Sequence, residues 1–66
     1  MSTAQVQQQI IKELRAADTE LSLTDLVARV RPNAPSGRNE VKAAVVPLLY
    51  RRHVTLTPSR KFRIAP

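Results

Sequence analysis

The apolar residues of this 66-residue chain change their spacing once, near His53. Upstream of His53 they recur every three or four positions, which is the spacing of a helix with one buried face. Downstream they alternate with polar residues, which is the spacing of a half-buried strand. We therefore predict a single domain over residues 1–66 of the α+β class, in which three helices precede a two-stranded β-hairpin.

The first helix is predicted over about residues 4–17. Ser2 or Thr3 can cap its start. Its glutamines are predicted to face solvent as helix formers, and a dimer contact through them is the alternative. Its apolar stripe consists of Val6, Ile10, Ile11, Leu14 and Ala17.

A capping box is predicted at the start of the second helix, which covers about residues 23–31. Ser22 and Asp25 have the three-residue spacing at which each side chain can bond the backbone N–H of the other. Leu21 and Leu26 flank this box as a hydrophobic staple, and Leu21 can also form a short strand-like segment. The following proline ends the helix, because the residue before a proline avoids the helical conformation.

The third helix, predicted over about residues 37–52, has two unlike faces. Ser36 can cap its start. Its buried face consists of Val41, Ala44, Val45, Leu48 and Leu49. Pro47 removes one backbone hydrogen bond, so the helix either kinks near Ala43 or ends near Val46 and restarts. The unbroken apolar spacing favours one kinked helix.

The hairpin is predicted over about residues 53–65. An antiparallel register that pairs Val54 with Ile64, and Leu56 with Phe62, places all four side chains on the core side.

This register leaves residues 58–60 as a three-residue loop. Arg60 then needs the left-handed backbone conformation that usually favours glycine. Thr55 and Thr57 face outward with Arg63, where they can donate hydrogen bonds to phosphates.

Positive charge is concentrated in the second half of the chain. Residues 1–28 contain two basic and four acidic side chains, whereas residues 29–66 contain nine basic and one acidic. The halves therefore carry −2 and +8, which together give the net charge of +6. This asymmetry predicts a polyanionic partner, and a solvated basic surface is the alternative. Arg29 and Arg31, like Arg51 and Arg52, close helices at ends where cations favour the helix dipole.

The composition argues against an enzyme or a metal protein. The chain has no cysteine, one histidine and one glycine. It therefore offers no thiolate site, no glycine-rich phosphate loop and no nucleophile with its base. We expect no cofactor and no small-molecule substrate. No run is long enough to span a membrane and no apolar signal region is present. These features predict a cytoplasmic or nucleoid-associated protein, and Met1 favours a natural N-terminus.

The order of helix, short segment, helix, turn, helix and basic hairpin resembles the winged helix-turn-helix family. The resemblance rests on the stretches LSLTDLVARV, SGRNEVKAAVVPLLYRR and HVTLTPSRKFRIA. In that family the third helix usually reads the major groove, and the hairpin, called the wing, contacts the backbone or the minor groove. The resemblance implies a double-stranded DNA-binding protein, either a small transcriptional regulator or a nucleoid-associated factor.

Candidate DNA contacts follow from this resemblance. Arg38 contacts either a guanine or a phosphate, Asn39 either contacts an adenine or takes part in the helix cap, and Lys42 contacts a phosphate. Together with Thr57 from the hairpin, the predicted DNA-binding set is Ser36, Arg38, Asn39, Lys42, Ala43, Thr57, Arg60, Lys61 and Arg63.

An alternative function follows from the apolar end of the third helix. Val46, Pro47 and Tyr50 lie on its exposed face and can dock a partner protein or a second copy, as a protein-interaction or dimerisation module. The Tyr50 ring can instead cover the edge of the core, with its hydroxyl in water. Base stacking and RNA binding are disfavoured, because the chain has one tyrosine, one phenylalanine and no tryptophan.

Overall fold

A computed structural model describes residues 2–65. Its elements are α1 (Thr3–Ala17), α2 (Leu23–Val30), α3 (Gly37–Tyr50), β1 (Val54–Leu56) and β2 (Phe62–Ile64). The two strands form an antiparallel hairpin that packs on the three helices. The predicted α+β class is confirmed, and the architecture is consistent with a winged-helix arrangement. Met1 and Pro66, the ends of the predicted domain, lie outside the described residues.

The helix ends differ slightly from the predicted ones. α2 ends one residue early, at Val30, and α3 ends two residues early, at Tyr50. Arg31 leaves the helical conformation with φ −133° and ψ 56°. Arg52 is left-handed, with φ 61°, because the chain must turn there towards β1. Arg51 and Arg52 therefore follow α3 and do not lie in its last turn.

α1 and α2 both begin with a complete capping box. In α2, the backbone N–H of Asp25 donates to the Ser22 hydroxyl at 3.1 Å, and the Ser22 N–H donates to the Asp25 carboxylate at 3.2 Å. Ser2 and Gln5 form the same pair of bonds in α1. Hydrogen bonding to Ser22 is the main cause that lowers the pKa of Asp25, and the charges of Lys61 and Arg29 lower it further.

The predicted cap of α3 is wrong. Ser36 occupies the N-cap position but makes no side-chain capping bond, and its φ of −99° and ψ of 11° differ from the extended conformation of the other two caps. Its hydroxyl instead donates to the Glu40 carboxylate at 3.3 Å. Because Glu40 also accepts a hydrogen bond from the Arg31 guanidinium, these residues tie the end of α2 to the start of α3.

The core contains residues from all five elements. Leu21 and Leu26 of the predicted staple are both buried, and so is most of the predicted α3 stripe. The buried side chains are Val6, Ile10, Leu14, Leu21, Leu26, Val41, Ala44, Val45, Leu48, Val54 and Phe62. Leu49 is only partly buried at the margin of this cluster.

α3 runs without interruption through Pro47, as the apolar spacing predicts. Proline has no N–H to donate to the carbonyl one turn earlier, so the α3 backbone is weakest in that turn. Gln7 of α1 is half-buried there, and its Nε2 donates to the Ala44 carbonyl oxygen at 3.2 Å. The prediction that the glutamines face solvent is therefore wrong for Gln7, which ties α1 to the proline-containing part of α3.

The hairpin has the predicted register, with Val54 opposite Ile64 and Leu56 opposite Phe62. The predicted strand-like role of Leu21 is also confirmed, because it forms an antiparallel bridge with Phe62. Leu56 is an exception to the predicted core, since it is 52% exposed. It lies at the end of β1 nearest the hairpin loop, beyond the cover that the helices provide.

The hairpin loop also matches the prediction. The Thr57 N–H donates to the Lys61 carbonyl at 2.7 Å, which closes a loop of residues 58–60. Arg60 adopts the left-handed conformation, with φ 62°.

Gly37, the first residue of α3, packs tightly against Arg31, the residue that follows α2. It is buried, and a Cβ atom added to it would lie 2.9 Å from the Arg31 carbonyl oxygen and 3.1 Å from the Arg31 Cβ. The first of these contacts is with backbone, so relief requires a shift of the two helices.

We expect Gly37→Ala to lower the free energy of unfolding by about 1–3 kcal/mol, which is typical of overpacking. An unhindered helical glycine would instead gain up to about 1 kcal/mol from the same change. Urea unfolding followed by circular dichroism measures the difference. Asn39→Ala, exposed on the same helix, is the control and should change stability by no more than about 0.5 kcal/mol. An equally or more stable Gly37→Ala variant would contradict the tight junction.

A second prediction concerns the pH dependence of the α2 cap. Because the pKa of Asp25 is lowered in the folded state, its stabilising effect is present above about pH 4 and lost as the pH falls through the lowered pKa. We expect Asp25→Asn to be less stable than the parent chain at neutral pH, and the two to converge once the pH falls below the lowered pKa. In a Ser22→Ala background this pH dependence should shrink. If urea titrations show a stability difference between Asp25→Asn and the parent chain that does not change with pH, the predicted pH dependence of the cap is contradicted.

Candidate nucleic-acid interface

The exposed face of α3 changes character along its length. Its N-terminal half is polar or basic and consists of the exposed residues Arg38, Asn39, Lys42 and Ala43. Its C-terminal half is apolar, with Val46 41% and Tyr50 84% exposed. Tyr50 therefore does not cover the edge of the core, and that interpretation of its ring is wrong.

Arg38 is oriented by a residue that the sequence analysis did not single out. Its Nη1 donates to the Thr24 hydroxyl oxygen at 3.4 Å. Thr24 lies in the first turn of α2 and is itself exposed. No spacing rule relates these two residues, because the contact depends on how α2 and α3 cross.

The hairpin loop, which we call the wing tip, presents Arg60 to solvent and leaves Lys61 half-buried. The Thr57 hydroxyl oxygen accepts the backbone N–H of Lys61 at 3.2 Å. This bond fixes the end of the loop, and Thr57 keeps its hydroxyl proton for a further acceptor. Thr57 therefore has a structural role in the loop in addition to its predicted contact with phosphate.

The first turn of α2 connects the start of α3 to the wing tip. Arg38 contacts Thr24, and the next residue, Asp25, lies close enough to Lys61 for the lysine charge to add to the effect of Ser22 in lowering the pKa of Asp25. The antiparallel bridge between Leu21 and Phe62 places Lys61 beside Ser22, the N-cap of α2, so Arg38 and Lys61 both lie near the start of this helix.

Arg63 is the predicted contact that the structure places apart. It is exposed on β2 opposite Thr55 and borders a groove at the end of α1, where Asp18 and Glu20 also lie. No contact among residues 2–65 ties it to Arg38 or to the first turn of α2.

Two arginines predicted to act on the α2 dipole have carboxylate partners. Arg29 pairs with Glu13 of α1 at 3.6 Å, and Arg31 pairs with Glu40 of α3. These arginines hold α2 against both neighbouring helices. Within residues 2–65, the basic side chains without an ion pair are Lys12, Arg15, Arg38, Lys42, Arg51, Arg52, Arg60, Lys61 and Arg63.

Other kinds of site receive little support over the described part of the chain. No group of three or more potential metal ligands lies together within residues 2–65. His53 is exposed at the corner between α3 and β1, as predicted, and its backbone bonds to Leu48 and Ala65. No helix among these residues is long and apolar enough to cross a membrane.

No family model matches the chain, and no curated protein and no solved structure shows significant similarity to it.

Proposed function

We propose that this chain is a winged-helix domain that binds double-stranded DNA, with the first half of α3 in the major groove and the wing tip on the flanking backbone. The observation that carries the proposal is that Arg38 and Lys61 both lie near the start of α2, Arg38 through its bond to Thr24 and Lys61 through the antiparallel bridge of Leu21 with Phe62. Neither side chain forms an ion pair within residues 2–65, so both charges remain available to phosphates.

The dimensions of α3 suit this mode of binding. A helix with its side chains is about 10–12 Å wide, and the major groove of B-DNA is about 12 Å wide. Arg38 and Asn39 lead the exposed face and can read base edges, while Lys42, one turn later, reaches a phosphate. Ala43 is small enough to let the helix approach closely and can contact a thymine methyl group. Ser36 lies at the entry to the helix, within reach of the backbone.

The positions of the basic residues on α3 favour a role in binding a partner over a role in stabilising the helix. Cations near the N-terminus of a helix oppose its dipole and lower helix stability. Arg38 and Lys42 nevertheless occupy this end, and the one acidic residue of the first turn, Glu40, is already paired with Arg31. Both cations add to the positive potential of the helix terminus, which attracts phosphate.

The biological role that fits this mechanism is that of a small transcriptional regulator or nucleoid-associated factor. A second candidate function is a protein-interaction or dimerisation module that uses Val46, Pro47 and Tyr50. It is favoured by the exposure of Val46 and Tyr50. Sedimentation over a range of concentrations tests the dimer, and both functions can coexist if a dimer reads two half-sites.

The DNA proposal predicts a steep dependence of affinity on salt. If Lys42, Arg60 and Lys61 each neutralise one phosphate, log K should fall against log salt with a slope of about −2.7. Removal of one of these cations should reduce the slope by about 0.9. Fluorescence anisotropy with a labelled duplex over a salt series measures both quantities.

Arg38→Ala should weaken binding and relax sequence preference, because a bidentate base contact is worth about 1–3 kcal/mol of discrimination. Selection from random duplexes with the parent and variant chains measures the preference. Arg15→Ala removes the same charge from the exposed surface of α1 and is the matched control. Equal effects of the two changes, or no duplex binding at moderate salt, would overturn the proposed function.

Arg60→Gly separates the charge of the wing tip from its conformation. Glycine adopts the left-handed conformation of this position without the cost of about 1 kcal/mol or more that other residues incur. We expect the variant to be at least as stable in urea as the parent chain and yet to bind duplex DNA more weakly, with a salt slope reduced by about 0.9. An unchanged slope would remove Arg60 from the interface.

A further inference from the structure

The large apolar side chains that are exposed among residues 2–65 all lie around one residue, Leu49. Val46 and Tyr50 are exposed and line a depression of about 370 Å³ together with Leu49. Leu56 is exposed and lines a second depression, of about 440 Å³, to which Leu49 also belongs. Single exposed apolar residues are common on protein surfaces, whereas a contiguous group of them marks an interaction site. We call the two depressions together the Leu49 groove.

The charges at the Leu49 groove have one sign. Arg52 lines the groove, Arg51 directly precedes it in the chain, and both are exposed. Neither forms an ion pair within residues 2–65, and no aspartate or glutamate occurs from residue 41 to residue 66. A segment that covers the groove therefore meets positive charge that this part of the chain does not neutralise.

Arg52 occupies a backbone position that is usually taken by glycine. Its N–H donates to the Leu49 carbonyl oxygen at 3.1 Å. The N–H of the next residue, His53, donates to the Leu48 carbonyl oxygen at 3.0 Å. These two bonds form a Schellman motif at the end of α3, in which the left-handed residue is most often glycine. Arg52 adopts that conformation, with φ 61°, at a cost in free energy that glycine would avoid.

This choice of residue indicates a role for the Arg52 side chain. The non-glycine residues with positive φ among residues 2–65 are Asp18, Asn33, Arg52 and Arg60. Asparagine and aspartate adopt the left-handed conformation more readily than other residues, so the two arginines are the unusual cases. Unfavourable backbone conformations of this kind cluster at functional sites. Arg60 has a proposed role at the wing tip, and Arg52, at the groove, requires a separate one.

The groove offers side chains to a partner but no open backbone edge. Val54 of β1 is buried, so its backbone groups are covered. A segment that binds here must satisfy its own backbone hydrogen bonds, as a helix does. Apolar residues one turn apart lie on one face of a helix, which suits two depressions that share the side chain of Leu49.

We propose that the Leu49 groove binds an amphipathic helix of a partner protein, with aliphatic residues on one face and acidic residues beside that face. The proposal rests on the second candidate function and deepens it by naming the chemistry of the partner. The aliphatic residues occupy the two depressions and cover Val46, Tyr50 and Leu56. Carboxylates at the flank of the helix pair with Arg52, and with Arg51 beyond the end of α3.

A second copy of the chain fits the groove poorly. Lys42, Val46 and Tyr50 follow one another at four-residue intervals along one side of α3, and Arg51 and Arg52 follow its end. Two α3 helices that pack through this side, parallel or antiparallel, bring the cations of both copies together, and such contacts are destabilising. The one carboxylate of α3 belongs to Glu40, which is already paired with Arg31. A partner with acidic residues is therefore the better occupant.

The test titrates the full chain with a capped synthetic peptide about four turns long, in which leucines recur at helical spacing and glutamates flank them. We expect fast-exchange binding with a Kd below about 1 mM, the largest amide shifts at Leu49, Tyr50 and Arg52, and weaker binding at high salt. The same peptide with lysine for glutamate should bind at least about fivefold more weakly. A peptide with serine for leucine should not bind, because it cannot fill the depressions.

Arg52→Gly is the most specific variant, because glycine suits the left-handed position. We expect it to be at least as stable in urea as the parent chain and to bind the glutamate peptide about two- to fivefold more weakly. Arg60→Gly removes the same charge from the same backbone conformation outside the groove. It is the matched control and should bind the peptide as the parent does. Tyr50→Ser should weaken peptide binding about tenfold, and circular dichroism of this variant verifies its fold.

Several outcomes would overturn the proposal. They are the absence of binding at about 1 mM peptide, equal binding of the glutamate and lysine peptides, and equal effects of Arg52→Gly and Arg60→Gly on peptide binding. Shifts at the groove that rise with protein concentration alone would show a second copy there instead. Shifts caused by vesicles of equal parts phosphatidylcholine and phosphatidylserine, with none caused by the peptide, would show a lipid surface.

The peptide experiment is independent of the tests of the proposed function. Arg38→Ala should bind the peptide as the parent chain does, so failure of DNA binding leaves the peptide result intact. A chain that stays monomeric in sedimentation and still binds the glutamate peptide would exclude the dimer and retain the acidic helix. Failure of each proposal is therefore distinguishable from failure of the others.

Discussion

The architecture depends on the close approach of α2 and α3 at Gly37. The backbone of Gly37 lies against Arg31 with no room for a side chain, and the Arg31 guanidinium is held by Glu40 one turn into α3. These contacts fix the angle between the two helices. That angle in turn decides that Arg38 reaches Thr24 and that the basic half of α3 points to solvent. The candidate interface thus depends on a steric constraint at the residue that directly precedes Arg38.

The apolar side of α3 determines how the rest of the chain is arranged around it. Val41, Ala44, Val45 and Leu48 are buried among all the other elements, so any rotation of α3 about its axis would expose part of the core. Pro47 leaves the Ala43 carbonyl without its helical donor, while Gln7 donates to the neighbouring Ala44 carbonyl and ties α1 to this part of the helix. The orientation of α3 that buries this stripe leaves Val46 and Tyr50 facing solvent, which explains why two apolar side chains are exposed on a well-packed helix.

Features that depend on neighbouring residues in the chain were predictable from the sequence, and features that depend on distant ones were not. The Ser22–Asp25 box and the hairpin register follow from spacing alone, and the register also required the left-handed Arg60. The predicted cap at Ser36 is absent because the backbone of Ser36, with ψ 11°, does not take the extended conformation of a capping residue. Gln7, Thr24 and the exposed Leu56 depend on where other elements end or cross, which a local pattern does not encode. The separation of Arg63 from Arg38 likewise depends on how distant elements pack, so the local pattern did not predict it.

The distribution of carboxylates explains why the last part of the chain favours an anionic partner. Three of the five acidic residues have structural roles, since Glu13 and Glu40 hold arginines of α2 and Asp25 caps that helix. The other two, Asp18 and Glu20, border a groove at the end of α1. From Arg51 onwards the chain therefore carries five cations and no carboxylate of its own. Repulsion among these cations opposes the compact state, and a phosphate backbone at the wing tip relieves it.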